Sequence, residues 1–185
     1  MKDISLHILD LAQNSLAAGA AHLCIVLTET EKTLTLSLRD DGRGMEEAAL
    51  RLAADPFFTT RTTRPVGLGL PLFFLAAEQT GGRAAITSGT EPEEHGTEVT
   101  ALFYKSHPDC IPLGDMPATV SLLVQGAPGT DIRFCHTFGP EGKVTLDTER
   151  MREILGPDIP LNRPEILRWI RESLREEYRA LGYSS

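Results

Sequence analysis

The sequence predicts an α+β chain built as a two-layer sandwich, with helices on one face of a sheet. Three observations carry that prediction. Runs such as "TLTLSLRD" alternate apolar and polar residues with the period of two that a half-buried strand requires. "ISLHILDLAQNSLAA" instead repeats with the period of a helix. Over residues 1–104 the two kinds of segment follow as helix, two strands, helix, loop, helix, two strands. With 185 residues, 41% apolar and 24% charged, there is material for one domain and a small appendage.

The first helix is expected over residues 4–18. Leu6, Leu9, Gln13 and Leu16 mark one stripe, Ile8, Leu11, Ala12 and Ser15 lie beside it, and Gly19 is the stop. Asp10 and Asn14 are four apart and share a face. "HLCIVLTETEKTLTLSLRD" reads as a hairpin whose second arm sets Leu34, Leu36 and Leu38 on one side. Asp40 continues that parity and so leaves the strand on the buried side, where a carboxylate without a partner is costly. "MEEAALRLA" suits a short helix, and "DPFFTTRTTRPVGLG" is a long irregular stretch of the kind that is functional or disordered inside a compact domain. "LPLFFLAAEQTGG" is apolar enough for a buried helix, with Pro71 in its first turn and Gly81–Gly82 closing it. "RAAITS" and "GTEVTALFY" form a second hairpin.

The three prolines of "KSHPDCIPLGDMP" mark residues 105–117 as a linker. Residues 118–185 are expected to hold three short strands, "ATVSLLVQ", "DIRFCHTF" and "KVTLDT", then a helix over 149–155 and a longer one in "NRPEILRWIRESLREEYRAL". Asn162 is the expected cap of that last helix, with Glu165 three residues on. Its apolar stripe is Ile166, Ile170, Leu174, Tyr178 and Leu181, with Trp169 read as packing beside it. This makes a small C-terminal α+β region whose role the residues do not declare.

A net charge of −8 disfavours nucleic acid as the main partner. Cys24, Cys110 and Cys135 are an odd set without CxxC spacing, which argues for a reducing compartment. Asp10 and Asn14 interrupt the N-terminus too early for a signal peptide, and no apolar run approaches the ~18 residues of a membrane span. The expectation is a cytoplasmic protein. His107 with Cys110, and Cys135 with His136, supply too few ligands at zinc spacing to suggest a metal site.

The stretch "LRDDGRGMEE" is either an acidic turn or a place where donor groups are read. A buried carboxylate beside a glycine turn can accept from an exocyclic amine, and the glycines let a flat ring come close to the backbone. That is the chemistry of a purine site. Five segments in order, "HILDLAQNSLAAGA", "DDGRGM", "DPFFTTR", "VGLGL" and "GTEVTALF", resemble the asparagine box, first glycine box, phenylalanine segment, second glycine box and final strand of the GHKL ATPases. That superfamily comprises gyrase, heat-shock chaperones, histidine kinases and mismatch-repair clamps, and the resemblance covers roughly residues 4–104; "PFFTTR" with "GLGL" is nearer the histidine-kinase pattern, whereas "NSLAAGA" leans towards the mismatch-repair clamps.

The resemblance implies a mixed, mostly antiparallel sheet, and ATP with magnesium as ligands. Asn14 would hold the magnesium ion, an oxygen-donor role suited to a hard cation. Asp10 stands where many members keep a water-activating glutamate; it is one methylene shorter, and an ion pair or helix-face charge is the other reading. Asp40 would accept the adenine amino group, with Gly42 and Gly44 admitting the ring. Gly67, Leu68 and Gly69 would present backbone N–H groups to phosphate at a helix start. Thr59, Thr60 and Arg61 would close over the triphosphate, and Thr97 would support Asp40. Arg43 is read either towards the nucleotide or as a surface group.

Three functions follow as expectations. The first is a stand-alone ATPase or kinase-like regulator acting with a partner protein. The second is an anti-sigma-type serine kinase or the catalytic half of a histidine kinase, although the asparagine box begins almost at residue 1 and leaves no room upstream for a phosphoacceptor unit. The third is a nucleotide-binding module with little turnover. A partner protein and a possible homodimer are expected; nucleic acid and membrane are not.

Overall fold

The computed structural model describes residues 2–54, 69–92, 94–156 and 158–183. In chain order the elements are α1 (Ile4–Ala17), β1 (His22–Glu29), β2 (Thr33–Asp40), α2 (Glu47–Ala54), α3 (Gly69–Gln79), β3 (Arg83–Gly89) and β4 (Gly96–Tyr104). They continue with α4 (Met116–Gly126), β5 (Asp131–Phe138), β6 (Gly142–Asp147), α5 (Thr148–Leu155) and α6 (Pro164–Ala180). The strands form one sheet in the order β3-β4-β2-β1-β5-β6. Among the described residues only β1 and β5 run parallel; the other neighbours are antiparallel. The mixed, mostly antiparallel α+β architecture expected from the sequence is therefore present.

Strand alternation builds the core. Leu23, Ile25 and Leu27 of β1, Leu34, Leu36 and Leu38 of β2, and Val99, Ala101 and Phe103 of β4 are all buried on one side. Ile132 and Phe134 of β5 and Val144 and Leu146 of β6 extend the same apolar layer. Helices cover this face: α3 inserts Phe73, fully buried, whose ring lies 5.7 Å from that of Phe103 and 5.6 Å from His7 of α1. Asp3 caps α1 by accepting from the Leu6 N–H at 2.9 Å and from Ser5 Oγ at 2.8 Å. The next orphan donors, Ile4 N and Ser5 N, donate to Pro112 O and Leu113 O at 2.9 and 2.8 Å. Segment 105–117 thus secures the start of α1.

Several readings of the sequence need correction. Residues 118–125 are not a strand but most of α4. Asp115 caps that helix by accepting from Ala118 N, Pro117 sits in its first turn, and Met116, Val120, Leu123 and Val124 are buried at helical spacing. The β-branched residues suggested a strand, yet the run packs as a helix against α1 and α6. The C-terminal region is consequently helix, two strands and two helices, and its strands lengthen the first sheet. In α1 the buried stripe is Ile8, Leu11, Ala12 and Ser15, while Leu6 is 41% exposed. Asn162 does not cap α6: Arg163 precedes the helix without a side-chain cap, because Pro164 already opens it without needing a donor. Trp169 does not pack either; it is 57% exposed, turned off the stripe formed by Leu167, Ile170, Leu174 and Tyr178.

The parity that buries leucines also buries Glu29 at the end of β1, 7% exposed. Burial alone would raise its carboxyl, but hydrogen bonds from His136, Lys105 and Tyr183 outweigh this and bring it down to about 2 from an ordinary 4.5. Lys105 Nζ pairs with Oε1, and Tyr183 donates to Oε2 at 3.0 Å. His136 Nε2 lies 3.3 Å from the same oxygen, and its Nδ1 is 2.9 Å from the Tyr178 hydroxyl. His136 is wholly buried, 4.0 Å from the Phe138 ring centroid.

A carboxyl held below its ordinary value stabilises the fold fully above about pH 4.5, and that contribution fades as pH falls towards 2. Its size is roughly 3 kcal/mol from the shift. Glu29→Gln is expected to lower stability at pH 7 by roughly 2–3 kcal/mol and to flatten the decline below pH 4.5. Urea denaturation between pH 6.5 and 3 checks this; a variant whose stability falls as steeply with acid as the parent contradicts it.

Candidate functional site

The site is built where β2 ends against α1. Asp40, 6% exposed, accepts the Gly42 N–H on Oδ1 at 2.9 Å and the Ser15 hydroxyl on Oδ2. Both donors are neutral. A carboxylate offers about four acceptor positions, so capacity remains on Asp40 after these two bonds. Asp41 belongs to the other side of the chain. It accepts from His22 N at 2.7 Å, and its second oxygen lies 2.7 Å from His22 Nδ1, fastening the turn to the start of β1. Burial works to raise the Asp41 carboxyl, but the His22 backbone and side-chain hydrogen bonds prevail and lower it.

Asp40 faces a cavity of about 130 Å³. Asn14, Ser15, Gly44 and Thr97 line it, and Leu38, Met45, Leu70, Ile86 and Val99 give it apolar walls. A planar ring buried there would meet aliphatic side chains on its faces and one carboxylate at its edge. Thr97 is the cross-strand partner of Asp40. Its hydroxyl lies 2.9 Å from Ser88 Oγ, which in turn receives Met45 N–H at 2.8 Å. The glycine turn is thereby tied to β3 and β4. Arg43 is exposed at the rim of the cavity, and its backbone N–H donates to Ala18 O at 3.1 Å.

The glycines of this turn answer to the protein's own packing. A Cβ at Gly42 would lie 2.9 Å from Ala18 Cβ and 3.1 Å from Asp40 Oδ1. Gly44 has φ +67°, and a Cβ there would fall 1.7 Å from Gly89 O. Asn14 is exposed on α1, one turn beyond half-buried Asp10. Asp10 rests on the first residue of α3: a Cβ at Gly69 would be 1.4 Å from Asp10 Oδ2. A carboxylate at a helix N-terminus is favourably placed. His7, on the same helix, is 2% exposed, and burial lowers its pKa, so it is held neutral against Phe73.

Of the residues singled out in the sequence, Asn14, Asp40, Gly44 and Thr97 therefore meet at one cavity, Gly42 braces Asp40, and Asp10 meets Gly69 beside it. Thr59, Thr60, Arg61, Gly67 and Leu68 lie outside the described residues. Sequence reasoning missed Ser15 as a partner of Asp40. The signal was there, since Ser15 sits on the buried stripe of α1 and a buried hydroxyl needs an acceptor. Among the described residues there is no group of three His, Cys, Asp or Glu that could hold a metal. At the cavity itself, the Asn14 amide oxygen is a donor of the kind that could serve a hard cation such as magnesium.

Known proteins resemble this chain in sequence and in fold. A family model described as histidine kinase-, DNA gyrase B-, and HSP90-like ATPase matches residues 2–107, more than half of the chain. The tetrathionate sensor histidine kinase of Salmonella typhimurium is 40% identical over 91 residues, covering 49% of this chain and 15% of that protein. The C4-dicarboxylate transport sensor protein of Pseudomonas aeruginosa is 37% identical over 86 residues, 45% of this chain and 14% of its own length. The chain thus spans about a seventh of these relatives. Among solved structures, the N-terminal domain of a DNA repair protein superposes with a TM-score of 0.55 at 13% identity, covering 85% of this chain and 58% of that one. That likeness is one of fold.

The packing of the glycine turn yields a test that needs no ligand. Gly44→Ala is expected to cost at least ~2 kcal/mol, because a positive φ and a collision with backbone act together. Gly126→Ala, where a Cβ meets nothing within 4 Å, serves as the control and should melt close to the parent. Thermal unfolding followed by circular dichroism checks both. A Gly44→Ala protein that melts with the parent would remove the packing argument.

Proposed function

The chain belongs to the histidine kinase-, DNA gyrase B- and HSP90-like ATPase family, and from that premise we propose that it binds ATP with magnesium in the cavity bounded by Asp40. The observation that carries the proposal is Asp40 itself: a buried carboxylate given two neutral donors, with acceptor capacity left over and turned to a cavity that Asn14 of α1 also lines. The adenine amino group is the donor that this capacity suits. Guanine presents a carbonyl at the corresponding edge, and an acceptor facing an acceptor disfavours it. Ser15 and Gly42 hold the carboxylate in place for this reading, and Thr97 steadies the adjoining strand.

Asn14 is assigned to magnesium, which when bound neutralises phosphate oxygens and eases charge development at the terminal phosphate. Asp10 is assigned as the base that takes a proton from the attacking water. Its position against Gly69, where α3 begins, sets it beside the backbone N–H groups proposed to receive phosphate oxygens. Thr59, Thr60, Arg61, Gly67 and Leu68 are assigned to the triphosphate on the strength of the motif order.

The terminal phosphoryl group is proposed to pass to water, leaving ADP and phosphate, in a stand-alone ATPase or kinase-like regulator that works with a partner protein in the cytoplasm, as monomer or homodimer. Transfer to a protein side chain, as in the catalytic half of a histidine kinase or in a serine kinase, is the second reading. The name of one relative, a sensor histidine kinase, favours it.

Two sets of variants test the assignments. Asp10→Asn is expected to leave ATP affinity within about threefold while abolishing phosphate release or label transfer. Turnover that survives the change removes Asp10 as the base. Ser15→Ala should weaken ATP binding about fivefold by freeing the Asp40 carboxylate. Asp40→Asn should cut the preference for ATP over GTP by roughly 10–100-fold. Calorimetry with both nucleotides and magnesium measures these, and unchanged discrimination in Asp40→Asn takes that residue out of base recognition. Incubation with labelled ATP, with and without candidate partner proteins, separates release to water from transfer to protein.

A further inference from the structure

A second cavity, of about 840 Å³, lies at the opposite end of the sheet, near the Glu29 end of β1 rather than the Asp40 end of β2. Six strand residues separate the two ends, roughly 20 Å. Ile4, Leu34, Ile111 and Leu113 give it an apolar wall. Lys105, Arg175 and Arg179 bring three cations to it, in a chain whose net charge is −8. The volume falls within the roughly 300–1,000 Å³ of small-molecule sites.

The two carboxylates at this cavity are already committed. Glu29 is compensated by Lys105, Tyr183 and His136. Asp115 caps α4 through Oδ1 and receives Arg175 at 2.9 Å through Oδ2. Arg175 uses one guanidinium nitrogen in that bond and keeps donors in reserve, since the group carries five N–H. Arg179, one turn later on the same face of α6, makes no ion pair among the described residues. Unspent positive charge therefore adjoins an apolar wall.

We propose that this cavity is a second ligand site, for a small amphipathic anion: a carboxylate or phosphate monoester on an apolar body, with the anion between Arg175 and Arg179 and the body along Ile4, Leu34, Ile111 and Leu113. It is independent of nucleotide binding and stands whether or not Asp40 reads adenine.

The test uses the full 185-residue chain with octanoate and octyl phosphate as probes, and octyl glucoside below its micelle concentration as the uncharged counterpart. At least one anion should bind saturably at a single site. Backbone amide shifts should then concentrate in residues 110–115 and 175–183, with the glucoside leaving them unmoved. Arg179→Glu should weaken binding at least tenfold, while Arg168→Glu, exposed elsewhere on α6, leaves it unchanged. Saturation by only one of the two anions identifies the headgroup and supports the site. Failure of both anions to saturate, shifts centred on the Asp40 cavity, or equal binding of the glucoside overturns the proposal. Should Arg179→Glu not fold, the shift map of the unaltered chain decides.

Discussion

A carboxylate on the helix-covered face of a strand must find donors, and this protein meets that demand at both ends of its sheet. Glu29 and Asp40 belong to neighbouring strands and share the parity of the core leucines. Glu29 is met by an ammonium, an imidazole and a phenol, enough to hold it ionised well into acid. Among the described residues Asp40 is met by a hydroxyl and a backbone N–H. Equal burial thus produces different chemistry. The first carboxylate is satisfied within the fold, whereas the second keeps acceptor capacity facing a cavity, and recognition of a donor outside the chain becomes possible there.

Helix α1 links the two ends. Its start is held by Asp3 and by the carbonyls of Pro112 and Leu113, which form part of the wall of the far cavity. Its later turns carry Asp10 against Gly69 of α3, and Asn14 and Ser15 along the Asp40 cavity. The C-terminal elements reinforce this arrangement. Along its whole length β5 pairs with β1, and α4 packs beside α1. Around the turn after β2, Asp41 binds His22 at the start of β1, and Asp131 at the start of β5 pairs with Arg152 of α5. The chain beyond residue 104 therefore sets the strand and helix on which the site depends.

Glycine has a double duty in the turn after β2 and at the start of α3. Side chains at 42, 44 or 69 would collide with Ala18, with the backbone of Gly89 or with the Asp10 carboxylate. Those collisions are internal to the protein. A glycine motif that resembles a ligand-binding signature is here also the means by which three segments come within contact of one another, and both demands select the same residue.

Much of the fold was legible in the sequence because its cause is local. Alternation at Leu34, Leu36 and Leu38 places Asp40 inside whatever the partners are, and helical spacing sets Asp10 and Asn14 one turn apart. Motif order pointed from those residues to an ATPase family, and the match over residues 2–107 agrees. What remained hidden depends on contacts between distant segments. The run 118–125 carries β-branched residues that suit either element, and the surfaces of α1 and α6, with the Asp115 cap, make it a helix. Trp169 lies one residue from the stripe of α6, and only the position of the sheet decides that it faces outward. Ser15 and Asp40 stand 25 residues apart, so their hydrogen bond exists in the folded chain alone. Periodicity determines which side of an element a residue occupies; what it meets there is settled by packing, because the partner comes from elsewhere in the chain.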